Sequence, residues 1–509
     1  MSNIGGIHVA RRKHFLFLCT VLMFTSLFFA GCGSEQKYAG KHITLGLYWF
    51  GESLDPAHDY DGWTVSRIGA GETLVRVAED MTYAPQLSDA WKSESQNIWR
   101  FHIRRGVTFQ NGKSLTAEDA VKSLKRTLEE NVTARMAAGI KSIKADGEDV
   151  VIETEQPDAA LAATLSDPAF IILDTDAPNP DTAPIFTGPY MVSAFKKGSA
   201  IALKAYAGYW NGAPGLDELT VRYIPDNTKR AMALQAGDID LMQRVDTASR
   251  PLFENDKYQI SQASGTRIFM ADVNIEGTLK DPNLREGVAA FIDYDALATL
   301  EGNGLTAAGE PFPPALAYAR VAHPHRMDLP HAAECFQKAG FTKDAEGFYQ
   351  KDGKRLSLKF ATWGSKTAMY EALQAELRTA GIEVTLVKVP DENVKMQENG
   401  MDLLEQNIIT APTNNPYLFL DRVFRTGSRM NFGGYSNPAL DVLIQKLPTE
   451  FDENKRESMI REAAELLCRD NAEIFLAFPA NTMVGTAHIR NLTTFPIDYY
   501  VVTKDLTIE

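Results

Sequence analysis

The chain has 509 residues, 44% hydrophobic and 23% charged, a globular balance that allows two or three lobes and a core needing no disulfide framework. Its formal net charge of −14 lacks the basic footprint of a nucleic-acid binder. Four cysteines without a CxxC spacing exclude the common zinc and redox motifs.

The N-terminus reads first. Arg11, Arg12 and Lys13 precede an uncharged apolar run, residues 15–30, shorter than the ~20 residues of a spanning helix. The run ends at Phe29-Ala30-Gly31-Cys32. A charged start, a short apolar stretch and small residues make an export signal. The small pair before the cysteine resembles a bacterial lipobox, which implies cleavage before Cys32 and lipidation of its thiol. A signal over 1–31 and a lipid anchor at Cys32 place the mature chain in the cell envelope, outside the cytoplasm. Cys19 leaves with the signal, and the spacing of Cys335 and Cys468 leaves their pairing open.

After a polar tether over 33–40, a strand pattern spans 43–49 and a loop runs through Leu54-Asp55-Pro56. Ile98–Ile103 alternates in character, as a half-buried strand should. Residues 109–113 form a turn, and Thr116 caps a helix with Glu118 and Asp119 in its first turn. Val121, Leu124 and Leu128 share one face of that helix. A second helix begins near Asn227 and ends at Gly237, before a strand at 239–242. From Gly265 the pattern restarts with a strand at 268–271. A helix over 283–300 follows, with Leu284, Val288, Phe291 and Ile292 on one side. A strand at 356–360, a helix at 368–380, a strand at 384–389 and a long helix at 455–468 complete the chain. This alternation predicts an α/β fold with parallel or mixed sheets flanked by helices.

Several segments carry a family likeness. They are Ala84-Pro85-Gln86-Leu87-Ser88-Asp89-Ala90-Trp91, Trp99-Arg100-Phe101-His102-Ile103-Arg104 and Val107-Thr108-Phe109-Gln110-Asn111-Gly112-Lys113. Thr116-Ala117-Glu118-Asp119-Ala120-Val121, Thr187-Gly188-Pro189-Tyr190, Gly208-Tyr209-Trp210, Ile224-Pro225-Asp226 and Ala236-Gly237-Asp238-Ile239-Asp240 follow in order. Together they resemble family 5 extracellular solute-binding proteins, the peptide- and nickel-binding receptors of ABC importers, and most nearly the nickel-binding type. Ser95-Gln96-Asn97 departs from the Asp-Gly turn of many members. The resemblance implies a two-lobed, type II periplasmic-binding-protein-like fold with mixed sheets. Lobe I would comprise 32–264 and 482–509, with a subdomain inserted at about 62–190, and lobe II 265–481. The chain would cross between lobes at Gly265 and again at 479–483, and the lobes would close on ligand. It also implies a monomer that performs no chemistry and docks on permease subunits.

Enzyme and metal motifs are weak. The stretch from Gly106 to Gly112-Lys113-Ser114 has five residues between its glycines where a phosphate loop needs four. HExxH and GxSxG do not occur. His323, His325 and His331 could meet as imidazole ligands, but with Pro324 and Pro330 they read as a polar linker. No catalytic residue, cofactor or protein-held metal is therefore expected. Tyr48, Trp49, Tyr60 and Trp63 either wall a ligand cleft or pack the core. Arg135 follows the Thr116 helix, where likeness to nickel-type relatives implies basic residues. Thr410-Ala411-Pro412-Thr413-Asn414-Asn415-Pro416-Tyr417 corresponds to a family ligand loop and offers Asn414 and Tyr417. In peptide-binding members the resemblance places an Asp, four residues before the equivalent of Pro416, against the peptide's α-amino group. Pro412 stands there instead. Arg422, Arg425, Arg429 and Asn431 follow, and guanidinium groups hold carboxylates in bidentate fashion. The expected ligand is a nickel or similar metal chelate. A di- or oligopeptide is the alternative, or a non-transport role as a peptide-sensing lipoprotein.

Overall fold

His42–Leu47 opens the fold because Ile43, Leu45 and Leu47 are all fully buried. It pairs in parallel with Glu218–Tyr223 on one side and Leu241–Gln243 on the other. The computed structural model describes residues 40–509 except 247, 301–303 and 364–366. The expected signal at 1–31, Cys32 and the tether up to residue 39 lie outside the described residues. Among the described residues no helix is long and apolar enough to cross a membrane.

The strands run in the order Glu383–Lys388, Ser357–Thr362, Leu403–Ile409, Arg267–Val273, Glu473–Thr486, Leu241–Gln243, His42–Leu47, Glu218–Tyr223, Ala200–Ala205, Tyr190–Lys196. The sheet is mixed, as predicted. Ser357–Thr362 is parallel to both of its neighbours, whereas Arg267–Val273 is antiparallel to Leu403–Ile409. One 14-residue strand, Glu473–Thr486, spans both halves. Its first half pairs with Arg267–Val273 and its second half with Tyr258–Ser264. Between those partners sits Gly265, whose N–H donates to the Pro479 carbonyl at 3.2 Å. A Cβ there would stand 2.5 Å from the same oxygen, so only glycine fits.

A separate four-stranded antiparallel sheet joins Ser88–Ser95, Ile98–Ile103, Asp149–Thr154 and Ile140–Asp146. Helix Ala117–Glu130 covers it, burying Val121 and Leu124 against Phe101, Ile143 and Ile152. Its start is a capping box. Thr116 Oγ1 accepts from the Asp119 N–H, and the Asp119 carboxylate accepts from the Thr116 N–H.

Some of the segments that carry the family likeness meet at one buried carboxylate. Glu72 accepts from the Thr187 hydroxyl at 2.8 Å, the Tyr209 hydroxyl at 2.8 Å and the Trp210 indole at 3.0 Å. Burial pushes Glu72 up to about 7, while these donors pull the other way. Gln110 of the Phe109 turn donates to the carbonyls of Gly188 and Tyr190, and Lys113 pairs with Asp119, Asp174 and Asp176. Lys113 is thus committed to carboxylates within the scaffold.

The helix expected over 283–300 is two helices, Pro282–Phe291 and Tyr294–Thr299. Ile292 is extended at the break, and the Asp293 side chain caps the second helix at the Ala296 N–H. The Asp293 N–H is taken by Glu376, a residue far away in sequence, which the local pattern could not reveal. The strand expected to reach Trp49 ends at Leu47. Cys335 and Cys468 are both buried and both free.

Candidate functional site

A cavity of about 390 Å³ lies between the N-terminal and later parts of the chain. Tyr60, Trp63 and Tyr499 wall one side. Arg267, Asn407, Pro412 and Arg422 come from the other. Helix Asp61–Arg67 positions the aromatic wall, with Tyr60 at its N-terminal boundary and Trp63 one turn in. The Trp63 ring lies 5.3 Å from Tyr60, 5.5 Å from Tyr499 and 6.1 Å from Trp49, centre to centre. These tilted and edge-on packings fix its plane.

Behind this wall sits Arg67, fully buried at the end of the same helix. Its guanidinium faces the rings of Tyr48, Trp49 and Trp63 at 5.3–5.5 Å. Nε donates to the Asp498 carbonyl and Nη2 to the Asp498 carboxylate, each at 2.9 Å. Arg244 reaches the same carboxylate at 3.2 Å and stacks on Tyr48 at 4.0 Å. The Tyr48 hydroxyl donates to Asp498 at 2.8 Å. Burial alone would raise the Asp498 carboxyl, but Arg67 and Arg244 outweigh it and hold the group at about 2.

Arg267 completes this cluster from the cavity side. Its Nη1 donates to the Asn407 carbonyl at 3.0 Å and to the Asn407 side-chain oxygen at 3.2 Å. Burial, then repulsion from Arg244, makes its proton easier to lose than an ordinary guanidinium's. Asp498 is thus shared by Arg67 and Arg244, while Arg267 bonds the uncharged Asn407, leaving positive charge at the cavity wall. The lining acids are Asp59 and Asp167. Asp167 accepts from the Ala169 N–H at 2.9 Å and the Tyr499 hydroxyl at 3.3 Å, and burial raises its carboxyl. No histidine or cysteine is among the described lining residues. Aromatic faces with convergent guanidinium groups suit a compact ligand bearing carboxylates.

The sequence candidates divide. Tyr60 and Trp63 line the cavity. Tyr48 and Trp49 stand behind it, holding Arg67. Asn414 and Tyr417 line a larger neighbouring groove of about 1330 Å³, which shares Ala137, Thr164, Asn415 and Leu418 with the cavity. Asn414 Oδ1 accepts there from the Tyr318 hydroxyl at 3.1 Å. Arg135 lies outside both. It is exposed, and its Nη1 donates to the Leu128 and Glu129 carbonyls at the end of the preceding helix. Arg425 is also exposed and pairs with Asp421 at 2.7 Å, one helical turn away. Arg429 is exposed, and Asn431 ties a turn by bonding the Tyr435 backbone. Sequence reasoning named Arg422, Arg425 and Arg429 and favoured the last two, whereas the cavity is lined by Arg422 and by Arg267, which it did not name. A charge just past Gly265, leading the apolar run Ile268-Phe269-Met270-Ala271, was the available signal for Arg267. Asp498 gave none, because Arg67 lies 431 residues earlier. The three histidines of the linker part company. His325 is buried and bonded to the Cys468 carbonyl at 3.0 Å, His323 faces Glu465 at 3.5 Å, and His331 turns to Glu286.

The profile of bacterial extracellular solute-binding proteins, family 5, matches residues 82–431. The nickel-binding protein NikA of Staphylococcus aureus is 25% identical over 490 residues, covering 95% of this chain and 97% of that one. The crystal structure of the nickel ABC transporter from Bacillus halodurans superposes with a TM-score of 0.84 at 29% identity, over 92% of this chain and all of that one. The structure of NikA from Staphylococcus aureus in complex with Ni(L-His)2 gives a TM-score of 0.72 at 24% identity, with 92% and 100% covered.

Proposed function

Because the chain belongs to the bacterial extracellular solute-binding proteins, family 5, we propose that it is the receptor of an ABC importer and captures a metal chelate, nickel within a carboxylate-bearing chelator. One observation carries the ligand assignment: Arg267 and Arg422 share the cavity with Tyr60 and Trp63, with Pro412 where an acid would hold a peptide amine. Guanidinium groups attract the carboxylates of a chelator and repel a bare cation. The nickel-binding relative and the neighbour that holds Ni(L-His)2 support this reading. The receptor performs no chemistry. Two lobes, 32–264 with 482–509 and 265–481, with an inserted subdomain at about 62–190, would close about the crossings at Gly265 and Pro479. A lipid on Cys32 would hold the monomer at the outer face of the membrane, beside its permease subunits. A longer, peptide-like ligand is the second reading, favoured by the groove continuous with the cavity.

Titration calorimetry tests the assignment. Nickel premixed with excess L-histidine should bind, and Arg267→Ala should weaken that binding at least tenfold, as loss of one partner in a desolvated charge pair costs on the order of 2–5 kcal/mol. Arg422 is exposed, so Arg422→Ala should weaken it less. Equal affinity in wild type and both variants, or tight binding of a metal-free dipeptide that ignores the arginines, rejects the chelate reading.

A further inference from the structure

A second cluster of ligating side chains lies away from the cavity. His331 and Cys335 are four residues apart on helix Leu329–Lys338, so they project from one face. Glu286 reaches them from helix Pro282–Phe291. Gly287 permits this approach, since a Cβ there would stand 3.2 Å from the Cys335 Cβ and 3.3 Å from the Ala332 carbonyl oxygen. The two helices can therefore lie close enough for their side chains to converge.

From this geometry we propose that Glu286, His331 and Cys335 form a binding site for a borderline divalent cation of the zinc, cobalt and nickel class. One ligand atom from each residue lies within 4.8 Å of the others. Cys335 Sγ stands 3.5 Å from His331 Nε2. Bonds of about 2.0–2.3 Å in a tetrahedral site separate ligand atoms by roughly 3.3–3.8 Å, so this pair is already spaced for an ion. His331 Nε2 and Glu286 Oε1 are 2.7 Å apart, a hydrogen-bond distance. They need to part by roughly half an ångström as the ion takes the place of the proton between them, the imidazole staying neutral with its proton on Nδ1 after exchange through solvent. A thiolate, a neutral imidazole and a carboxylate bring two negative charges, which balance a dication. The sulfur and nitrogen ligands favour this class over magnesium or calcium. As the sulfur–metal bond forms, the thiol proton passes to solvent. His331 and Glu286 are each about two-fifths exposed in their side chains, which leaves a fourth position open to solvent. The site is independent of the chelate cavity, whose lining includes none of the three residues.

Cobalt(II) chloride titrated into the reduced full chain is the test. One equivalent should give an intense thiolate-to-metal charge-transfer band and the visible bands of a four-coordinate ion, both displaced by zinc. Cys335→Ser should abolish the charge-transfer band, and His331→Ala and Glu286→Gln should each weaken cobalt binding at least tenfold. Cys468→Ala and Arg267→Ala should leave it unchanged, which separates this site from the proposed cavity. If Cys335→Ser does not fold, the two half-exposed positions carry the test. Absence of a thiolate band at stoichiometric cobalt overturns the proposal. So does a band that survives Cys335→Ser, or unchanged affinity in both His331→Ala and Glu286→Gln.

Discussion

Asp498 faces Arg67, Arg244 and the Tyr48 hydroxyl within 3.2 Å, and its carboxyl is held at about 2. A folded-state value below the unfolded one stabilises the protein above about pH 4, and that contribution is lost as pH falls through about 2. Asp498→Ala leaves the buried Arg67 without its counter-ion and should cost about 3–5 kcal/mol at pH 7 by urea unfolding. The gap between variant and wild type should narrow below pH 4. A constant gap down to pH 2 would mean that packing, not charge, accounts for the loss. Asp272 and Glu473 carry the opposite sign. They face each other across paired strands, both buried, with Gln406 donating to Asp272 at 3.1 Å. Burial pushes Asp272 up to about 7. Burial, reinforced by the charge of Asp272, raises Glu473 well above the ordinary range. The folded state binds these protons more tightly, so the contribution is full below about pH 4 and lost as pH rises through about 7. Asp272→Asn keeps an acceptor for Gln406 and removes a charge. It should therefore raise stability at pH 9 by on the order of 1–3 kcal/mol and change little at pH 5, read as melting temperatures.

Local chemistry decides some elements and distant partners decide others. Helix Ala117–Glu130 is legible from Thr116, Asp119 and the spacing of Val121 and Leu124, because a capping box and an apolar stripe are both short-range. Thr116→Ala should cost about 1 kcal/mol of unfolding free energy. Thr116→Ser should recover most of it, and equal loss in both variants would point to the threonine methyl rather than the cap. The break at Ile292 was not legible, since Leu284, Val288 and Ile292 keep helical spacing and are all buried. The Asp293 side chain caps the next helix, and its N–H is taken by Glu376, a partner far away in sequence. The aromatic pair Tyr60 and Trp63 shows the same division. Both fell among the candidates, but the spacing could not separate them from Tyr48 and Trp49, which serve the arginine behind the wall.

Across the whole molecule, contacts join residues in and around the four-stranded sheet to the later half of the chain. The Tyr83 hydroxyl donates to the Thr413 carbonyl at 2.9 Å, the Ala159 N–H donates to the Pro448 carbonyl at 2.7 Å, and Trp99 packs on Phe451 at 6.3 Å. If ligand capture is lobe closure, these contacts belong to the closed state. Tyr83→Phe removes one hydrogen bond and should speed release of a nickel–histidine complex about fivefold, equivalent to about 1 kcal/mol. Small-angle scattering should show a larger radius of gyration without ligand than with it. An identical radius in both states, with release unchanged by Tyr83→Phe, would remove closure from the mechanism.

The sequence by itself determined the α/β alternation, the helix ends at Thr116 and Gly237, and a family likeness carried by short ordered segments. These depend on periodicity, capping and turns, all confined to a few residues. Several of those segments prove to be scaffold: Thr187, Tyr209 and Trp210 are tied to Glu72 and not to the cavity. The tertiary structure alone decided which arginines face the cavity. Arg425, close to the predicted loop, spends its charge on Asp421 one turn away. Arg267 is directed at the cavity because a strand starting beside Gly265 meets Asn407 across the sheet. Its charge is left over because Asp498, from the far end of the chain, is already shared by Arg67 and Arg244. Charge balance of this kind depends on residues hundreds of positions apart being brought within 4 Å, and no local pattern encodes it.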